Sequence, residues 1–449
     1  MRRTSFGRFA MALLLAITLA LGLVNPALAQ QNDAASEPDV RPEVVAMMPL
    51  LIDLFRSTPA GTAAPNPPQA ISTPQGGDGP QGAPLAGSGP VGAPVAVSGA
   101  FVPDEVLVTI NGNAEAVQDI AAALGLQVRS VRTSFLLGTS VARFGIPDGR
   151  PVGAVLAQIN QDGRAAGSEP NHVYTLQQSG SVGGYALETI NFNPADTDGS
   201  NIRLAVIDTA RDKKHPALSG ISAEDFDALP ETPVSNTDHG TSIVGLIAGQ
   251  NGFQGVAPKA RILHARAFEN GKSNADAILA ALDWAAEQNA QIINMSFVGP
   301  RNKLFELACN AALDRGILLV AAAGNNGPKA PPAFPGAYKS VVAVTATDEQ
   351  NRRMAQANVG NYIAISAPGV GVLAPIPGGG FDAVTGTSFA AAIYSGAIAN
   401  LMQKDPALSA FEIERKATKT ALDLGAKGKD AEFGYGLLDF RTALSTFGK

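Results

Sequence analysis

From about residue 199 onward, short apolar strands alternate with helical segments along the chain. The strands include "NIRLAVID", "QIINMSF" and "ILLVAAAG", and "ADAILAALDWAAEQ" is one of the helices. Strands with continuous runs of Val, Ile and Leu are buried on both faces, which is typical of a parallel sheet covered by helices. We therefore predict an α/β domain over residues 185–449, with a mostly parallel, doubly wound sheet and flanking helices. Ligands of such sheets bind beyond the carboxyl ends of the strands.

A smaller unit precedes this domain. Residues 101–176 contain strand and helix patterns in the order β-α-β-β-α-β, beginning with "EVLVTI" and ending with "HVYTL". This order predicts a small α+β, ferredoxin-like unit with a core of its own. Because the unit is short, we place the chemistry in the larger domain.

The N-terminus has the features of an export signal. Arg2, Arg3 and Arg8 form a positively charged region, an apolar core follows, and "ALA" at 27–29 suits cleavage. We predict that residues 1–29 are a signal peptide and that the mature protein is exported, either to the periplasm or to the medium. An uncleaved anchor is the alternative, but the apolar run falls short of the roughly 20 residues of a spanning helix. No transmembrane domain is expected after signal removal.

Residues 30–100 are interpreted as a low-complexity linker, because Pro, Gly and Ala dominate them. Within this linker, residues 43–56 ("EVVAMMPLLIDLFR") form a short apolar segment that suits an amphipathic helix. The chain carries 33 basic and 39 acidic side chains, a formal charge of −6, so no basic face for nucleic acid is expected. Cys309 is the only cysteine, which excludes an intramolecular disulfide and a Cys-based zinc site.

Four polar residues occur at strand ends or helix starts, where an α/β enzyme places its working groups: Asp208, His239, Asn325 and Ser388. Each has a structural alternative. Asp208 could cap a helix or bind a nucleotide ribose, and His239 could be a core or capping group. Asn325 could belong to a turn, and Ser388 could be an N-cap. Together they supply a base orienter, a general base, an oxyanion donor and a nucleophile for acyl transfer. His264, inside a strand, is predicted to be a core histidine.

The motifs around these residues resemble those of the subtilisin-like serine peptidases, the subtilase family. The resemblance covers roughly residues 200–440 and rests on "VIDTA", "DHGTSIVGLIAG", "GVAP", "INMSF", "VAAAGNNG", "VVAVTATD", "ISAPGV", "GTSFAAA" and "GYGLLDFRTAL". It implies a serine endopeptidase that hydrolyses protein or peptide substrates through an acyl-enzyme. Ser388 is then the nucleophile, His239 the general base and Asp208 the residue that orients it. Asn325 is then the side-chain donor to the oxyanion.

The same resemblance implies substrate-binding segments and a zymogen. The segment that pairs with the substrate backbone, and the stretch that flanks the primary specificity pocket, correspond to Ser296, Phe297, Val298 and Gly299, and to Ala323 and Gly324. Residues 101–176 are implied to be a propeptide that assists folding and acts as an intramolecular inhibitor. We expect self-cleavage within residues 176–185, "LQQSGSVGGY".

The chain departs from the family pattern at a few positions. Ala210 replaces the Gly of the Asp-Ser/Thr-Gly motif, so a positive φ there would be strained. Val298 stands where the substrate-pairing segment usually has Gly, which is expected to narrow the cleft or change its preference. Phe389 and Ala392 replace the usual Met and Pro after the nucleophile. Because Phe cannot form a sulfoxide, we expect resistance to peroxide.

No cofactor is needed for this chemistry. Structural calcium is common in the family, and residues 195–201 ("ADTDGSN") suit either part of a calcium loop or a plain turn, but no ligand set can be assigned. Other functions compete with the peptidase. One is a weak or inactive subtilase fold used as a binding or scaffolding module. A second is a nucleotide-binding oxidoreductase, which lacks its Gly-rich loop here. A third is an autotransporter, which needs a strand-rich C-terminal translocator.

Overall fold

The computed structural model describes residues 94–111, 114–176, 179–180 and 184–447, which belong to one compact unit. The predicted signal peptide, the apolar segment at 43–56 and the linker up to residue 93 lie outside the described residues. Among the residues that are described, no helix is both long enough and apolar enough to cross a membrane.

Residues 101–176 form an antiparallel sheet with helices on one face. Its elements are β1 (Phe101–Ile110), α1 (Ala114–Leu124), β2 (Gln127–Ser134), β3 (Thr139–Gly145), α2 (Val152–Ile159) and β4 (Ala165–Leu176). The strands lie in the order β4-β1-β3-β2, and all neighbours are antiparallel. Val106 and Val108 of β1 are buried in the core of this unit, whereas Leu107 between them packs into the core of the larger domain. The alternation of β1 therefore gives the sheet two apolar faces.

The larger domain is organised around a seven-stranded sheet. Its strands are β6 (Arg203–Asp208), β7 (Ala223–Asp227), β8 (Arg261–Arg266), β10 (Ile292–Met295), β12 (Leu318–Ala322), β13 (Val341–Thr347) and β14 (Ile363–Pro368). The order is β14-β13-β12-β10-β6-β8-β7, and every neighbouring pair is parallel. The strand order reverses between β6 and β10, so the crevice outside their carboxyl ends is the expected ligand site.

Helices cover both faces of this sheet, as predicted. They are α3 (Ala186–Thr189), α4 (Asp238–Ala248), α5 (Ala275–Glu287), α6 (Lys303–Asp314), α7 (Thr387–Lys404), α8 (Ala410–Lys419) and α9 (Phe440–Leu444). Leu204 and Val206 of β6 pack with α4 and α7, whereas Ala205 and Ile207 pack with α5 and α6. Side chains on both faces of β6 are thus buried, which explains why this strand is continuously apolar. The prediction of a doubly wound α/β fold is confirmed.

Short strands border the crevice. They are β5 (Ser179–Gly180), β9 (Lys272–Asn274), β11 (Phe297–Val298), β15 (Val372–Ile376) and β16 (Gly380–Thr385). β4 lies between β9 and β11 and pairs antiparallel with both. β5 pairs with β16, where Ser179 is opposite Thr385. Residues close to the predicted cleavage site therefore pair with strands on both sides of the crevice.

Candidate active site

The first part of the site is a buried carboxylate–imidazole pair. Asp208 is the last residue of β6, and His239 is the second residue of α4. Nδ1 of His239 lies 2.8 Å from both carboxylate oxygens of Asp208, and the two side chains are 2% and 0% exposed. Because a carboxylate only accepts hydrogen bonds, Nδ1 carries the proton and Nε2 is the accepting nitrogen of the neutral ring.

Ser388 is the second residue of α7 and is completely buried. Its hydroxyl donates to the carbonyl oxygen of Ser296 at 2.9 Å. Nε2 of His239 makes no hydrogen bond with any described residue. The structure therefore pairs His239 with Asp208 but does not form the serine–histidine hydrogen bond.

Asn325 follows β12 and is oriented by the residue before the serine. Its Oδ1 accepts from the backbone N–H of Thr387 at 3.1 Å and from the Thr387 hydroxyl at 2.7 Å. The same hydroxyl accepts from the N–H of Gly324 at 3.1 Å. With Oδ1 facing these donors, the amide NH₂ is the end of the side chain that can donate to an oxyanion. Thr387 stands directly before Ser388, but no sequence pattern indicated its role.

The predicted substrate-pairing segment is already paired in the structure. Val298 lies opposite Thr175 and Phe297 opposite Leu176, in an antiparallel ladder between β11 and β4. Val298 therefore forms a ladder pair although Gly was expected at its position. Gly299 forms an isolated antiparallel bridge with Phe334.

The other predicted pocket residues lie at the end of β12. Ala323 is fully buried, and its carbonyl accepts from the Tyr362 hydroxyl at 2.7 Å. Gly324 has φ +106°, and a side chain there would collide with Asn358. A glycine is therefore required at this position, beside Asn325.

A chain of buried polar side chains lies beneath the serine. Ser395 donates to Oδ1 of Asn294 at 3.1 Å, and Nδ2 of Asn294 donates to the Ser296 hydroxyl at 2.8 Å. That hydroxyl donates to the carbonyl of Ser388 at 3.1 Å. These residues are 0% exposed, so every bond in the chain is shielded from water. Spacing alone could not reveal the chain, since it joins β10 to α7 across about a hundred residues.

The structure accommodates three residues that depart from the family pattern, Phe389, Ala210 and Ala392. Phe389 is fully buried, and its ring centroid lies 5.5 Å from that of His239. Phe389 is thus one wall of the imidazole site, a contact that no sequence motif indicated. Ala210 is not among the described residues with positive φ, so the strain considered for it does not arise. Ala392 is fully buried within α7.

The acidic turn at 195–201 is engaged by protein donors. Asp198 accepts from Nζ of Lys259 and from Nε2 of Gln403, both at 2.8 Å. The hydrogen bond from Lys259, followed by that from Ser200, lowers the pKa of Asp198 below its ordinary range. Across the described part of the chain, no group of three acidic, His or Cys side chains could hold a metal ion. Asp198 is thus held by hydrogen bonds from protein side chains, and structural calcium stays a prediction.

Polar contacts also join residues 101–176 to the larger domain. Asp283 of α5 accepts from the Ser134 hydroxyl at 2.8 Å and from the Leu136 N–H at 3.1 Å, and forms an ion pair with Arg132. His172 of β4 is 3% exposed, and its Nδ1 accepts from Nδ2 of Asn302 at 2.9 Å.

Comparison with known proteins identifies the family. Residues 199–436, just over half of the chain, match the model of the subtilase family of peptidases. The chain belongs to the subtilase family. The minor extracellular protease Epr of Bacillus subtilis (strain 168) is 35% identical over 254 residues, which is 55% of this chain and 39% of that protein. Subtilisin NAT of Bacillus subtilis subsp. natto is 30% identical over 296 residues, covering 64% of this chain and 77% of that protein.

A solved structure agrees at the level of the fold. Fervidolysin from Fervidobacterium pennivorans, described as a keratinolytic enzyme related to subtilisin, matches with a TM-score of 0.70 and 24% identity. The match covers 78% of this chain and 62% of fervidolysin. The subtilase chain thus spans less than two thirds of Epr and of fervidolysin. The subtilisin-like fold predicted from the sequence is confirmed.

Proposed function

We propose that this subtilase is a serine endopeptidase that hydrolyses peptide bonds of protein or peptide substrates. The observation that carries the proposal is the buried Asp208–His239 pair beside Ser388, at the point where the strand order of the sheet reverses. Membership of the subtilase family and the named proteases among its relatives support the same activity.

In the proposed mechanism, Oγ of Ser388 attacks the scissile carbonyl carbon while Nε2 of His239 takes the hydroxyl proton. Asp208 holds the ring and stabilises the imidazolium. The negative charge that develops on the substrate oxygen is stabilised by the Asn325 amide, the Ser388 N–H and the N-terminal end of α7. The imidazolium returns the proton to the leaving amine as the C–N bond breaks, and water then hydrolyses the acyl-enzyme in the reverse sequence of proton transfers.

We also propose that residues 101–176 are an inhibitory propeptide and that the chain is a self-processed zymogen. Residues 173–176 lie between β9 and β11, with hydrogen-bonding partners on both edges, as an extended substrate would. Leu176 pairs with Phe297 and Ser179 pairs with Thr385, three residues before Ser388. These pairings favour the 176–179 end of the predicted cleavage range.

N-terminal sequencing of the secreted protein tests this processing. We expect the mature chain to begin at a residue from 177 to 179. A mature chain that begins near Gln30 contradicts the proposed processing. Export itself is proposed from the N-terminal sequence pattern and from the extracellular protease among the relatives.

A catalytically weak or inactive subtilase module is the alternative function. One observation favours it, because the Ser388 hydroxyl points to Ser296 and Nε2 of His239 makes no hydrogen bond with any described residue. In this alternative, the side-chain positions seen here persist after the propeptide leaves.

Labelling with a serine-directed fluorophosphonate separates the two functions. After propeptide removal, the wild-type protein and the Ser445→Ala control, at an exposed serine of the C-terminal region, should be labelled equally. Ser388→Ala and His239→Ala cannot process themselves, so their propeptide is cleaved by added wild-type enzyme before labelling. Ser388→Ala should then not be labelled, and His239→Ala should be labelled far more slowly. Equal labelling of wild type and Ser388→Ala, or no labelling of either, contradicts the peptidase. Thermal unfolding of each variant verifies that it is folded.

A further inference from the structure

His264 is a buried histidine that the proposed mechanism does not use. It lies in β8, opposite Val206 of β6 and Asp225 of β7, and is 2% exposed. Its Nε2 lies 3.0 Å from the carbonyl oxygen of Thr209, and its Nδ1 lies 3.2 Å from Oδ1 of Asp225. Both ring nitrogens therefore face oxygen atoms.

The partners of Asp225 keep its carboxyl group ionised. Arg211 donates to its two oxygens at 3.2 and 2.9 Å, and Nζ of Lys213 lies 3.1 Å away. Burial favours a higher pKa for Asp225, but the hydrogen bond from His264 and the charges of Arg211 and His264 outweigh it and hold the pKa below its ordinary range. A carbonyl oxygen and an ionised carboxylate only accept hydrogen bonds, so a ring with a hydrogen on each nitrogen satisfies both oxygens.

Thr209 connects His264 to the catalytic pair. Its carbonyl accepts from His264, and its N–H donates to Oδ1 of Asp208 at 2.7 Å. Its hydroxyl accepts from the N–H of Gly240, the residue after His239, at 2.9 Å. Three polar groups of Thr209 are thus held by residues of β8, β6 and α4. Two of these contacts are with the catalytic pair or its neighbour, namely with Asp208 and with Gly240.

We propose that His264 is a positioning residue, an imidazolium that fixes Thr209 and thereby aims the Asp208 carboxylate at His239. The inference rests on the proposed peptidase function for its effect on catalysis, although the protonation of His264 can be measured without it. A core histidine, as predicted from the sequence, would require only that the ring be packed. The positioning role also requires the charge and the N–H donor to Thr209.

The first test measures protonation by ¹⁵N NMR of the histidine rings in the Ser388→Ala protein at about pH 8, where an unperturbed histidine is neutral. We expect both nitrogens of His264 to be protonated. His215 is an internal reference for a neutral ring, because its Nδ1 accepts from the Ala217 N–H and its Nε2 donates to the Gly380 carbonyl. A neutral spectrum for His264, like that of His215, overturns the proposal.

The second test compares His264→Leu with His264→Gln in the mature enzyme. Leu fills similar space without a donor, whereas Gln retains an N–H that can bond the Thr209 carbonyl. We expect His264→Leu to lower kcat about tenfold, the effect of losing one hydrogen bond to a charged group, with KM changed less than about twofold. His264→Gln should recover most of that loss.

Equal kcat values for the two variants, or an effect on KM alone, overturn the positioning role. If His264→Leu does not fold, the comparison of wild type with His264→Gln and the NMR measurement still decide. An inactive wild-type protein refutes the proposed function instead. The NMR result then still decides whether both nitrogens of His264 are protonated.

Discussion

Tyr174 anchors the proposed propeptide, and its replacement gives a quantitative test. The side chain is 0% exposed and contacts the rings of Phe297 and Phe305 edge-on, with centroids 5.9 and 5.5 Å away. A side chain at Gly299 would overlap the Tyr174 ring, so the two segments are in close contact. Truncating a buried aromatic to Ala costs about 3–5 kcal/mol. At 1.4 kcal/mol per tenfold, Tyr174→Ala should weaken inhibition at least 100-fold or so.

We expect no loss of inhibition for Tyr174→Phe, which removes only the hydroxyl of Tyr174. It is buried and makes no hydrogen bond with any described residue. Burial also raises the pKa of this hydroxyl well above its ordinary value. Because an unpaired buried hydroxyl is costly, Tyr174→Phe should inhibit as well as wild type or up to about tenfold better.

The assay is the inhibition constant of separately expressed residues 94–176 against the mature enzyme. Gln118→Ala, at an exposed position of α1, is the matched control and should inhibit like wild type. Inhibition by Tyr174→Ala within about tenfold of wild type would refute the anchoring role of Tyr174. Markedly weaker inhibition by Tyr174→Phe would refute the cost assigned to the hydroxyl, which would then have a stabilising partner.

Three further predictions concern the catalytic site and the attachment of the propeptide. Asn325→Ala should lower kcat about 10²–10³-fold with little effect on KM, a magnitude taken from measurements on subtilisin itself; a change below about threefold argues against an oxyanion role. Phe389→Met should lose activity faster than wild type in peroxide, and equal inactivation rates contradict the prediction. Burial lowers the pKa of His172 below its ordinary 6.5, so the folded state binds fewer protons there, and the melting temperature of the Ser388→Ala protein should fall as pH drops below about 6.5. Asn302→Asp can accept from a protonated His172 and should reduce that dependence, whereas an equal dependence in both proteins refutes it.

The fold can be predicted well from the sequence because the apolar pattern of each short segment indicates its own strand or helix. The strand of Asp208 is apolar at successive positions, and α4 and α7 are runs of small and apolar residues, so a covered parallel sheet follows from composition along short segments. The positions of Asp208, His239, Asn325 and Ser388 follow from the same pattern, because they stand at the ends of these segments. Their catalytic roles remain predictions.

The supporting contacts could not be predicted in this way. Asp225, which faces His264, lies in "AEDFD", a strand with a single apolar side chain besides alanine. Ser395 reaches Asn294 across about a hundred residues, and Thr387 acts on Asn325 across 62. Such contacts depend on how the elements are brought together, and no periodicity in a short segment encodes them. The effect of Val298 on the width or preference of the cleft stays a prediction, and the structure adds the ladder pair of this residue with Thr175.

The position of β4 between β9 and β11 also bears on which substrates the proposed peptidase would cut. A polypeptide that binds between β9 and β11 must be extended over about four residues. The backbone groups on both of its edges must be free to pair with these two strands. A strand in the sheet of a stable protein has already used those edges, and a helix has no extended backbone to offer. Susceptibility should therefore follow how readily a stretch of the target opens, so that loops, termini and denatured chains are cut first. Native proteins would be cut in proportion to the population of their locally open states when opening and closing are fast relative to cleavage.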